Sequence, residues 1–109
     1  MALSMLNRDD ILATVSKMIQ LLRAAGEDSW AIHLEDAAAR LMRPESTSRA
    51  AGLELLAECY GGMGSLNDLV FSLHASNVPD GYTEERANHE FRALKRQLYD
   101  QIQSAKRRQ

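Results

Sequence analysis

The 109-residue chain is short of most features that identify small domains. Its single cysteine, Cys59, excludes an internal disulfide and any cysteine-rich zinc site, and fits a reducing compartment. No apolar run approaches the roughly 18 residues that a membrane-spanning helix needs. The opening Met1–Leu6 is too short for a signal-peptide core and meets Arg8, Asp9 and Asp10 at once. Charge of one sign is also missing: 13 basic against 15 acidic side chains leave a net of −2, which argues against a dedicated nucleic-acid binder. There is no alternating strand pattern, internal repeat or low-complexity tract. These absences leave the expectation of a small cytoplasmic domain whose partner is neither nucleic acid nor membrane.

What is present is helical periodicity. Ile11, Leu12, Val15, Met18, Ile19 and Leu22 form one apolar stripe, predicting a helix from about Arg8 to Ala25. Asn7 is its expected N-cap, Asp9 and Asp10 suit its positive end, and Gly26 suits a left-handed stop. A second helix is expected from Asp28 or Ser29 to about Met42, burying Trp30, Leu34, Ala37 and Leu41, with Pro44 closing it. The run Ala37 to Ala39 favours helix and permits close approach of a neighbour.

After the polar connection Glu45–Ser48, a third helix carries Leu53, Leu56, Ala57 and Tyr60 on one side, and Gly61-Gly62-Met63-Gly64 ends it. Ser65 followed by Asp68 reads as a variant capping box, favouring a short helix over a strand at Leu69-Val70-Phe71. Residues from His74 to Thr83, including Pro79-Asp80-Gly81, read as loop. A last helix from about Glu84 to Ala105 aligns Ala87, Phe91, Leu94, Leu98 and Ile102. The expected fold is all-α: a compact single-domain bundle of four to five helices over 1–109, with 1–7 and 104–109 frayed.

Charge is uneven along this bundle. Residues 1–83 hold six basic and eleven acidic side chains, a net of −5; residues 84–109 hold seven and four, a net of +3. Lys106-Arg107-Arg108 reads as a helix C-terminus with a solvated tail, too short for strong phosphate binding.

Candidate chemistry is sparse. The glycine cluster invites a phosphate-loop reading, yet no Lys or Arg lies between Arg49 and Arg86, and no strand precedes it. Asp68 would also occupy the helix end that an anion needs. Cys59 on the apolar side of a helix reads as a small buried hydrophobe. Glu85 with His89, and His33 with Asp36, share helical faces, but a metal site needs three or four ligands. No catalytic set, cofactor or metal motif is expected. Trp30 is either a core anchor or, half exposed, a hot spot for a partner.

The stretch Leu53-Glu54-Leu55-Leu56-Ala57, then Tyr60-Gly61-Gly62-Met63-Gly64-Ser65-Leu66-Asn67-Asp68-Leu69, resembles a family of short bacterial helical proteins of unknown function. That family carries a Gly-Gly-Met-Gly-Ser-Leu/Phe-Asn-Asp-Leu motif. The segment Asn77-Val78-Pro79-Asp80-Gly81-Tyr82 and the closing amphipathic helix look similar too. The resemblance implies a small helical fold without an established activity. The immunity role is an expectation by association, since proteins of this size and character often sit near toxin or secretion genes.

The functional expectation is therefore a non-enzymatic protein-binding module, concretely an immunity protein that masks a bacterial toxin. An acidic body suits a basic partner, because opposite potentials orient docking. The expected contact residues are Glu54, Glu58, Gly62, Met63, Asn67, Asp68 and Tyr82. The alternative is a self-associating structural or regulatory bundle, motivated by Leu98 and Tyr99 widening the last apolar stripe. Monomer and homodimer both stay open, and an enzyme using the glycine loop is the weakest reading.

Overall fold

The computed structural model describes residues 5–61 and 64–107. Four α-helices and one short 3-10 turn make up its regular structure: α1 (Met5–Ala24), α2 (Asp28–Leu41), α3 (Ser46–Glu58), the turn Leu66–Asp68, and α4 (Glu84–Arg107). No strand occurs among the described residues. The protein is an all-α bundle, as the periodicity predicts. The antiparallel chain α1–α2–α3 packs in sequence order, α4 returns against α1, and α3 touches α4. No helix among the described residues is long and apolar enough to cross a membrane.

The stripe of α1 is the centre of the core: Ile11, Val15, Met18 and Leu22 are fully enclosed. Gly26, at φ +78°, ends the helix. Its amide donates to the Arg23 carbonyl at 3.1 Å, and that of Glu27 to Leu22 at 2.8 Å, which satisfies carbonyls a helix end otherwise orphans. Asn7 is not the N-cap: α1 already includes Met5, since Met and Leu are good helix formers and nothing there breaks the helix. Asp9 and Asp10 consequently fall beyond its first turn.

The buried stripe of α2 is Ala31, Leu34, Ala37 and Leu41. Trp30 is displaced to the edge of it, half buried against the core with its ring edge-on to His33. Alanine, not tryptophan, fits the enclosed position because α1 and α3 both crowd this helix. Gly52 of α3 shows the same pressure. A Cβ there would lie 2.8 Å from the Ala37 carbonyl oxygen and 3.1 Å from the Leu41 amide nitrogen, both backbone atoms. Ser48 donates its hydroxyl to the Arg40 carbonyl at 3.1 Å, stitching the end of α2 to the start of α3.

The segment after α3 departs most from expectation. Ser65 makes no side-chain cap, and the restart yields only the three-residue 3-10 turn. Leu69 is extended (φ −67°, ψ 130°), and no helix forms over Leu69-Val70-Phe71. Two asparagine side chains explain this. Asn88 of α4 accepts from the Phe71 amide at 2.8 Å and donates to the Phe71 carbonyl at 2.7 Å. Asn77 accepts from the Ser72 amide at 2.7 Å, and donates to the Val70 carbonyl at 3.1 Å and the Glu27 carboxylate at 2.9 Å. The Leu73 amide donates to the Glu84 carboxylate at 2.9 Å. Backbone groups that a helix would pair internally are thus paired with side chains, and Phe71 is driven into the core against Phe91.

Pro79-Asp80-Gly81-Tyr82 forms the expected turn, with Gly81 at φ +82° and the Tyr82 amide donating to Pro79 at 3.0 Å. Thr83 caps α4 by accepting from the Arg86 amide at 3.1 Å. The helix then continues to Arg107, with Ala105 buried. Cys59 is a buried thiol donating to the Leu55 carbonyl at 3.7 Å.

Mutations, pH and thiol labelling check this account. Gly52→Ala should lower the melting temperature, by about 1–3 kcal/mol of stability, although alanine is the better helix former, because two backbones must separate. Asn88→Ala should cost about 1–3 kcal/mol by stranding the Phe71 amide and carbonyl, whereas Asn77→Asp should cost more at pH 7 than at pH 4 relative to wild type. At pH 7 the new carboxylate faces that of Glu27; protonation removes the like charge and restores a donor. Burial, with the Glu58 charge added, pushes the Cys59 thiol up to about 11, so its ionisation leaves stability untouched below about 9 and erodes it as pH rises from there towards 11. A thiol reagent at pH 8 should label Cys59 only once the protein unfolds.

Candidate functional site

A concavity lies along the outer side of α4, between this helix and Tyr60, Asn67, Leu69 and Val70. One cavity of about 550 Å³ is lined by Tyr60, Asn67, His89, Arg92, Ala93, Lys95, Arg96 and Tyr99. A second of about 410 Å³ shares Asn67, Arg92 and Lys95 with it and continues past Leu69, Val70 and Phe91. Together they form one groove. Its floor is helical because the buried stripe of α4 fixes the rotation of the helix, which turns Arg92, Arg96 and Tyr99 outwards.

The walls are fixed by specific bonds. Tyr60 donates its hydroxyl to the Lys95 carbonyl at 2.7 Å and packs edge-on to Tyr99 at 5.3 Å between ring centroids. Burial, with the charges of Cys59 and Asp100 added, pushes the Tyr60 phenol far up, so it stays a neutral donor. Lys95 donates from Nζ to the Asn67 carbonyl at 3.0 Å and lies 4.9 Å over the Phe91 ring. Burial and then the neighbouring Arg92 charge lower the Lys95 pKa, while Asp68 pulls it the other way. Among the described residues, Arg92, Lys95 and Arg96 have no ion-pair partner.

The expected contact residues do not converge on one place. Asn67 lines the groove, and Asp68 adjoins it, accepting from the Gly64 amide at 2.9 Å. Glu54 and Glu58 are exposed on α3 and line none of the cavities described, and Glu54 lies 3.9 Å from Lys106. Tyr82 lines a separate cavity with residues of α1, under the Arg86 guanidinium at 4.9 Å. Gly62 and Met63 lie outside the described residues.

Sequence reasoning missed Arg92, Lys95 and Arg96. Their positions i, i+3 and i+4 were the available signal, but the basic excess of residues 84–109 reads as a tail effect when counted rather than placed on a helical face. Leu98 is fully enclosed, so of the pair thought to widen the stripe only Tyr99, 45% exposed, offers free surface. Among the described residues no group of three His, Cys, Asp or Glu side chains could hold a metal ion, and Glu85 with His89 gains no third ligand.

Residues 23–78 match the family described as a domain of unknown function, DUF6966. Comparison with curated proteins and with solved structures gives no match. The matched span runs from the end of α1 through α2, α3 and the clamped segment to the residue after Asn77. On that span, the chain belongs to the DUF6966 family.

Proposed function

We propose that this chain is a non-catalytic protein-binding module that docks through the 69–73 segment and the groove beside it. The observation that carries the reading is a pairing of opposites in that segment. Its backbone is fastened by Asn77, Asn88 and Glu84, yet Val70 is 62% and Leu73 73% exposed. Single exposed aliphatic residues mean little on any surface. Two of them on a backbone immobilised beside a concave wall are different, because a preorganised surface loses little entropy on binding.

An immunity protein that masks the working surface of a bacterial toxin is the concrete form of this reading. The exposed acids Glu54 and Glu58 would then serve as a second, peripheral contact that steers a basic partner. A self-associating bundle is the alternative, for which the half-exposed Tyr99 supplies apolar surface on α4.

The test is the double variant Val70→Asp, Leu73→Asp, tagged and recovered from native cells beside the wild type. Both side chains are exposed, so the fold and melting temperature should change little. Wild type should retain a stoichiometric partner that the variant loses. Equal retention by both proteins would overturn the assigned face. A wild-type homo-oligomer that the variant converts to monomer would transfer the face to self-association.

A further inference from the structure

We propose that the groove along α4 receives a carboxylate-bearing peptide segment of the partner protein, with Arg92 and Arg96 as the residues that read its acidic side chains. This rests on the protein-binding reading and specifies the chemistry of its partner.

Arg92 and Arg96 lie four residues apart on one helical face, where like charges repel. Lys95 adds a third cation between them, and none of the three has an ion-pair partner among the described residues. Arg23, by contrast, sits 2.6 Å from Glu35, and Arg40 meets Asp36 across one turn of α2. Lys17, Arg43, Arg49, Arg86 and Arg107 also lack an ion pair among the described residues. What sets Arg92, Lys95 and Arg96 apart is that all three line one cavity. Among the described residues, Arg92, Lys95 and Arg96 thus stand without an ion pair around a cavity of about 550 Å³. An arriving anion relieves their repulsion and gains two guanidinium forks, which match the planar geometry of carboxylates.

The division of labour within the cluster is explicit. Lys95 is committed to the Asn67 carbonyl and the Phe91 face, so it contributes field rather than a free fork. Arg92 and Arg96 keep their donors. Tyr60, Tyr99 and Ala93 supply an apolar wall for a neighbouring side chain of the same segment. The apolar step at Leu69 and Val70 continues the groove, giving an extended peptide a length to follow rather than a point to touch.

A protein segment fits better than a nucleic-acid strand. Three cations neutralise few phosphates, and Asp68, whose charge is felt at Lys95, adjoins the groove and would repel a continuous phosphate backbone. Spaced carboxylates on a peptide meet the cations and avoid Asp68.

The probe is a short fluorescein-labelled peptide rich in Glu with one Phe, set against its counterpart with Gln in place of Glu, and read by fluorescence anisotropy. The acidic peptide should bind more tightly, with affinity falling as salt rises. The double variant Arg92→Gln, Arg96→Gln should weaken it about tenfold or more, while its melting curve matches wild type because both side chains are exposed. Equal binding of both peptides, unchanged affinity in the double variant, or tighter binding of a single-stranded oligonucleotide would each overturn the proposal. Should the natural partner still be lost in the Val70→Asp, Leu73→Asp protein while the acidic peptide shows no preference, the groove's ligand chemistry is refuted and the binding-module reading stands.

Discussion

The arrangement around the 69–73 segment depends on amide side chains doing what neighbouring strands do in a sheet. Phe71 offers one donor and one acceptor, and Asn88 meets both from a helix. Asn77 performs the complementary task for Val70 and Ser72 and then reaches Glu27 at the turn between α1 and α2. Without those bonds the segment would face a desolvation cost for each buried backbone group, and it would have no reason to lie where Phe71 fills the core. Because the segment lies there, it forms one bank of the groove, and α4 forms the other.

The α1–α2–α3 layers supply the rigid background. Alanines on α2 and Gly52 on α3 bring two helices to backbone contact, so their separation is set by main-chain atoms rather than adjustable side chains. That leaves α4 as the element with polar length to spare. Its inner face is aliphatic and aromatic, its outer face charged with Arg92, Lys95 and Arg96 clustered at the groove, and Tyr60 ties it to the end of α3 through the Lys95 carbonyl.

The helices were legible because burial repeats every three to four residues, and the left-handed stop at Gly26 because few other residues tolerate that conformation. The restart after Ser65 misled. Its capping signal is local, whereas the bonds that decide the segment come from Asn77 in the loop that follows it and from Asn88 on α4. Nothing in the composition of 69–73 announces them. The groove was hidden for a related reason. Arg92, Lys95 and Arg96 gain meaning only when a wall stands opposite, and, of the expected contact residues that are described, Asn67 lines it. Trp30 drew attention by size, but the enclosed place beside it belongs to Ala31.

The asparagine clamp has a further consequence for solubility. Extended backbone with free N–H and C=O groups, flanked by Val70 and Phe71, is the raw material of edge-to-edge pairing between chains. Asn88 occupies both hydrogen-bonding positions of Phe71 and so removes the template from circulation while the fold is intact. Seen this way, the two asparagines act as gatekeepers. They let the protein display aliphatic side chains at a surface without offering the adjacent main chain to intermolecular sheet formation.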